Sequence, residues 1–112
     1  MDFDWVKEFG GAVTVCDPIG TIIYMNDKAY ATFMNPGDES PIGHNLFDCH
    51  PSAAQEILRG LMKEQKTNVY TIEKKGKKKI IYQSPWYEKG EYKGFVEVSL
   101  EIPFEMVNKI RG

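Results

Sequence analysis

Asp17-Pro18-Ile19-Gly20-Thr21-Ile22-Ile23-Tyr24-Met25-Asn26-Asp27-Lys28-Ala29 is the stretch on which the fold turns. Proline presets φ for the second position of a tight turn and glycine suits the fourth, so residues 17–20 predict a reversal of the chain. The residues before it, Ala12-Val13-Thr14-Val15-Cys16, are rich in β-branched side chains and predict a strand. Thr21 to Met25 predicts the returning strand of a hairpin. Asn26 follows at once. Its side-chain oxygen can accept from the free N–H groups that open a helix, and Asp27 puts negative charge where the helix dipole favours it. A helix over Asp27–Phe33 is expected, with Ala29, Tyr30 and Phe33 at helical spacing.

Working outward, residues 2–9 place Phe3, Val6 and Trp5 on one side of a short helix that Gly10-Gly11 would end. Residues 35–41 hold two prolines and a glycine and predict a loop. The longest helix begins at Pro51, whose missing N–H would be unpaired there anyway. Ser52 and Gln55 stand at capping-box spacing. Ala54, Ile57, Leu58, Leu61 and Met62 form a core-facing stripe, with Glu56, Arg59, Lys63 and Glu64 opposite. Gly60 weakens this helix by about 1 kcal/mol relative to alanine. Three strands follow: Asn68–Lys74, Lys79–Tyr87 and Gly94–Ile102, joined at Lys75-Gly76-Lys77 and at Glu88–Glu91. Pro85 cannot donate to a ladder and predicts an edge or a bulge. The tail Phe104–Ile110 predicts a short helix. Two groups of hairpin strands separated by helices favour an α+β class, one antiparallel sheet with helices packed on one face.

The totals narrow the function. The 112 residues fit one domain; 42% are apolar, 27% charged, and the net charge is -2, a balance that gives no reason to expect a nucleic-acid or membrane partner. Cys16 and Cys49 form no CxxC pair and predict reduced thiols. The acidic start lacks a signal-peptide core, and no apolar run approaches the roughly 20 residues of a membrane span, so a cytoplasmic location is expected. The basic run Lys74–Lys79 reads as a solvated hairpin whose charge protects a sheet edge, rather than as a phosphate site. Nucleophile-elbow, zinc-protease and P-loop motifs are absent. A glutamate beside a histidine, Glu97 and His50, could perform acid–base work, but nothing marks a substrate, so the expectation is no enzyme.

Specific residues resemble the PAS family over about residues 11–103. Asp17-x-x-Gly20-x-Ile22-x-Tyr24-x-Asn26-x-x-Ala29 is similar to the family's first hairpin and helix. Gly43-x-x-Leu46-Phe47 is similar to the segment before its main helix, and Gly90-x-Tyr92-x-Gly94 to the turn into its last strand. Cys49-His50-Pro51 and Pro85 are similar to a subgroup found in bacterial and archaeal proteins. The resemblance implies a five-stranded antiparallel sheet curled around a pocket that helices close. It implies a sensory or signalling domain spanning 11–103, with an N-terminal flanking helix at 1–10 and a flanking segment at 104–112. The alternative is a ligand-free docking or dimerisation module with a filled core.

The pocket implied by this likeness is lined from Tyr24, Ala29, Phe33, Leu46, Phe47, Ile57, Leu61, Tyr70, Ile72, Tyr82 and Phe95. Its polar anchors are His50, Glu97 and Ser99. Some members of the family hold haem through a histidine near the long helix, which makes His50 a candidate ligand for haem iron; a helix-capping role is the plainer reading, and His44 is expected at the surface. Flavin photochemistry is not expected, because Gly43-x-Asn45 is followed by Leu46 and not by a reactive cysteine. The cofactor therefore stays unknown.

The last strand alternates Val96, Val98, Leu100 and Ile102 with Phe95, Glu97, Ser99 and Glu101, which puts the two sets on opposite faces. Simple hydropathy sends the valine row inward. The family comparison implies the reverse, with Glu97 and Ser99 facing the pocket and Glu97 paired to His50, Tyr82 or a ligand. The apolar outer face would then be covered by the terminal segments, with Phe3, Val6, Met106, Val107 and Ile110, or by a second copy in a homodimer. A sensor must bias some other element, so a longer regulator or a partner chain is expected to carry the output.

Overall fold

The turn at Asp17 forms through its own side chain. Asp17 Oδ1 accepts from the backbone N–H of Ile19 at 3.0 Å and of Thr21 at 2.9 Å, and Gly20 N–H donates to the Asp17 carbonyl at 3.0 Å. In the computed structural model, which describes residues 4–49 and 52–112, this turn joins β1 (Ala12–Cys16) to β2 (Ile22–Met25). Helix α1 (Asp27–Phe33) follows, then a 3-10 turn at Leu46–Cys49 and helix α2 (Ser52–Glu64). Strands β3 (Asn68–Lys74), β4 (Lys77–Glu88) and β5 (Glu91–Ile102) complete the chain's regular structure.

The five strands make one fully antiparallel sheet in the order β2-β1-β5-β4-β3. The last strand thus lies at the centre, between β1 and β4. Two-residue turns at Lys75-Gly76 and Lys89-Gly90 link β3 to β4 and β4 to β5. The β3 ladder ends at Gln83, so at Pro85 strand β4 has a partner on one side only, and the proline leaves no ladder bond unmade. Where β5 starts beside β1, Gly94 has φ +135, and a Cβ there would run into the Cys16 carbonyl. Only glycine permits that close crossing.

The sheet register settles which face is which. Ala12, Thr14 and Cys16 pair with Ser99, Glu97 and Phe95. Cys16 and Phe95 pack with Leu58 and Met62 of α2, and all four are buried. Phe95, Glu97 and Ser99 therefore face the helices, and Val96, Val98 and Leu100 face away, the arrangement opposite to the one plain hydropathy suggests. A second cluster joins Ala12, Ile22 and Met25 to Ala29 of α1.

Two terminal expectations are corrected. Residues 5–8 form a turn where the sequence predicts a helix over residues 2–9, residues 1–3 lying outside the described ones, and the tail after Ile102 forms no helix. The N-terminal turn is pinned by long-range polar contacts: Asn26 Nδ2 donates to the Val6 carbonyl at 2.9 Å, Asp27 N–H donates to the Lys7 carbonyl at 3.0 Å, and the Lys7 ammonium pairs with Asp27 at 3.1 Å. Phe9 and Leu100 fill the space that a side chain on Gly11 would occupy. Among the described residues the tail finds no such anchors; Phe104, Met106, Val107 and Ile110 are exposed.

Candidate ligand-binding cleft

A cleft lies between the inner sheet face and the two helices. The loop at residues 42–46 closes one end by zipping onto the β2 edge: Gly43 N–H donates to the Ile22 carbonyl at 2.8 Å, Ile22 N–H to the His44 carbonyl at 2.9 Å, and Leu46 N–H to the Gly20 carbonyl at 2.7 Å. Asn45 completes the clamp, donating to the Ile19 carbonyl and accepting from Phe47 N–H. These bonds hold Leu46 over the sheet, where it packs against both core clusters.

Leu46 and Leu58 stand opposite Phe95 and Glu97 and pinch the cleft to a volume of about 20 Å³. On one side of the pinch, Ile22, Met25, Phe33 and Met34 wall a chamber of about 360 Å³ whose floor is Thr14 and Glu97. On the other side, Ile57, Leu61 and Tyr70 wall a chamber of about 410 Å³ whose floor is Asn68 and Gln83. Both volumes fall in the range of small-molecule sites.

A polar ladder crosses this floor. Asn68 Nδ2 donates to Gln83 Oε1 at 3.1 Å, and Gln83 Nε2 donates to Glu97 Oε1 at 2.9 Å. Asn68, Gln83 and Glu97 sit on adjacent strands in register, with Thr14 next across from Glu97. The ladder fixes the orientation of both amides, because each must present its N–H₂ toward the neighbour on its β5 side. Burial pushes the Tyr70 hydroxyl up from its ordinary pKa, and the negative charge of Glu97 adds to the rise. Burial likewise raises the Cys16 thiol, which is free and 1% exposed.

The residues expected to line a pocket divide. Leu46, Leu61, Tyr70, Phe33, Ile57 and Glu97 line the two chambers, although Phe33 and Ile57 also reach solvent at 52% and 64% exposure. Ala29 and Phe95 are core residues. Phe47 lines a separate surface groove, where the Arg59 guanidinium lies 4.5 Å over its ring. Ile72 pairs with Lys79 on the inner face but lines neither chamber. Ser99 faces the helices in a smaller hollow beside Lys28 and Lys79.

Two assignments are corrected. Tyr24 pairs with Val15, and Tyr82 pairs with Val98 and Val69, which puts both tyrosines on the outer face. Counting pleats from Asn26 or Pro85 would have placed them there, since Met25 and Gln83 are the inward neighbours. His44 is exposed, as expected. His50, with the haem reading attached to it, lies outside the described residues, as does Pro51 of the Cys-His-Pro segment. Residues that sequence reasoning missed are Thr14, Asn68 and Gln83. Their signal was weak: each is a polar residue at an inward position of a strand otherwise read for its apolar members.

No helix among the described residues is long and apolar enough to cross a membrane. No family model matches the sequence and no curated protein matches it. Solved structures do. The PAS domain of an HTR-like protein from Haloarcula marismortui is 14% identical, with 88% of this chain and 86% of that one covered and a TM-score of 0.62. The PAS domain of the histidine kinase ThkA is 18% identical, covering 81% of this chain and 98% of that one at a TM-score of 0.63. The PAS domain of BvgS from Bordetella pertussis is 14% identical, covering 88% and 81% at a TM-score of 0.63. Together with the strand order and the cleft between sheet and helices, these likenesses show that the chain has the fold of the PAS domains.

Proposed function

We propose that this chain is a sensory domain, spanning residues 11–103, that receives a small molecule in the cleft and passes the occupancy on through a second copy or a partner domain. The observation that carries the reading is the Asn68–Gln83–Glu97 ladder beneath apolar walls. A filled docking module would gain more from apolar side chains at those three positions, because mutual bonds at best offset the desolvation of polar groups, a cost that apolar side chains do not carry. Glu97, Gln83 and Asn68 are the proposed ligand contacts, with Leu46, Phe33, Ile57, Leu61 and Tyr70 as walls.

The signal would travel by the element that divides the chambers. Ligand in either chamber touches Leu46 or Leu58, and these residues contact Phe95 and Cys16 of the central strands. Shared occupancy of such a pinch is a route for biasing the sheet's outer face.

The test is thermal unfolding of the purified chain against a panel of organic amines, carboxylic acids and neutral amides, together with denaturing mass spectrometry for retained molecules. A stabilising compound whose effect disappears in Leu46→Trp, which fills the pinch, supports the reading. If circular dichroism shows Leu46→Trp folded and no compound binds the parent chain or co-purifies with it, the docking-module alternative replaces it.

A further inference from the structure

Among the described residues, Glu97 is the only charged side chain lining either chamber. Its Oε1 is held by Gln83, and among the described residues no lysine, arginine or histidine pairs with it; the ion pairs there lie at the surface, at Lys7–Asp27, Lys66–Glu64, Lys77–Glu101 and Lys93–Glu91. We infer that the cleft selects a protonated organic amine with an apolar body, its ammonium on Glu97 and its body against Phe33, Met25 and Met34. The inference rests on the sensory reading and deepens it.

Three features converge on that class. A carboxylate half-withdrawn from water gains most from a partner of opposite charge, and a charge-assisted bond is roughly twice as strong as a neutral one. The neighbouring walls are an aromatic ring and two thioethers, and an aromatic face attracts an organic cation while soft methionines mould to its body. Thr14, directly across the ladder from Glu97, offers a hydroxyl that accepts a second ammonium hydrogen. An anion would meet Glu97 with no cation among the described residues to offset it, and a neutral ligand would cover the carboxylate without pairing it.

The chamber of about 360 Å³ admits a single ring on a short chain. 2-Phenylethylamine, neutral 2-phenylethanol and anionic phenylacetate share that shape and differ in charge. Calorimetric titration of the full chain with each is the test. The amine is expected to bind at least about tenfold tighter than the other two. Glu97→Gln, which keeps the oxygen that Gln83 uses, should weaken the amine by about tenfold or more and erase its lead over 2-phenylethanol, which then covers no unpaired carboxylate. Thr14→Lys, which provides an internal counter-charge, should abolish amine binding by a second route and guards against a folding defect in Glu97→Gln. Amine binding that survives both variants overturns the inference. So does tighter binding of phenylacetate or 2-phenylethanol; if that binding is lost in Leu46→Trp, the cleft remains the sensory site and only its charge preference is wrong. Failure of all three probes overturns the amine class, and the wider panel then decides the sensory reading separately.

Discussion

Asn26 shows how much one side chain can organise. It is 1% exposed and makes four bonds: Oδ1 accepts from Val13 N–H at 2.9 Å and Ala29 N–H at 3.0 Å, while Nδ2 donates to the Val6 and Gly11 carbonyls. It thus caps α1, ties that helix to β1 and anchors the N-terminal turn at once. Asn26→Ala strands these groups in the interior and is expected to cost about 4 kcal/mol, read from urea unfolding. Asn26→Ser keeps the cap on Ala29 and should lose less; equal losses would show that the network, and not the cap, matters. Cys16 carries a different consequence. Burial raises its thiol pKa in the folded chain, and Tyr92, whose buried hydroxyl has no partner among the described residues, is raised for the same first reason. Below the unfolded thiol value both states hold the proton and stability is unaffected. As pH rises past roughly 8.5, the unfolded chain releases its proton first, so stability should fall. Unfolding midpoints taken between neutral and alkaline pH should show that decline, and Cys16→Ala should show a shallower one. A parallel decline in the variant would assign the effect to the tyrosines.

Among the elements, α2 has the most lopsided burial. Leu58 is 5% and Met62 6% exposed, whereas Ile57, one residue away on the same sequence stripe, is 64% exposed at the cleft rim. Leu58→Ala should therefore destabilise the chain by about 3 kcal/mol, and Ile57→Ala by less than about 1. Urea curves that reverse this order would mean that α2 sits on the sheet in another rotation. The stripe Ala54, Ile57, Leu58, Leu61, Met62 was legible as helical from spacing alone. Which member seals the core and which walls a cavity was not, because periodicity reports a face and not how closely the opposite surface approaches. The β1–β2 hairpin, α1 and the three long strands were legible for a simpler reason: Asp17, Asn26, Gly76 and Gly90 dictate local geometry with no help from the rest of the chain. The N-terminal segment misled, since Trp5 and Val6 read as one side of a helix, yet residues 5–8 are held in a turn by bonds from Asn26 and Asp27, some twenty residues away. The site was half legible. Glu97 stood out as a charge on a strand of apolar residues, while Gln83 and Asn68 matter only because antiparallel register sets them beside it.

For the whole molecule, the sheet face away from the helices is the unfinished surface. Its central part is sheltered: Val13 is 7% exposed, and Phe9 and Leu100 meet over Gly11. Toward β3 it is open, with Val69 48% and Tyr82 45% exposed and paired directly across the strands. The tail that could have covered them stays exposed, with Ile110 at 94%. An open aromatic–aliphatic pair on a sheet, in a chain with an exposed apolar tail, suits association with a second copy related by a two-fold axis, since one patch then serves both partners. We expect the chain to dimerise through this face, with the tail of one copy laid on the sheet of the other. Tyrosine is a frequent anchor at such interfaces, and its loss commonly costs about 2 kcal/mol or more, so Tyr82→Glu should raise the dimer dissociation constant by more than about tenfold. Because Tyr82 faces away from both chambers, the same variant should leave ligand binding in the cleft unchanged. Sedimentation equilibrium across a wide range of chain concentrations reads both quantities when paired with the cleft titrations. Removal of residues 104–112 should weaken the dimer in the same direction. A chain that stays monomeric at high concentration would sink the arrangement. A dimer indifferent to Tyr82→Glu would move the interface to the β2 edge, where Tyr24 stands on the same outer face with its hydroxyl unpaired among the described residues.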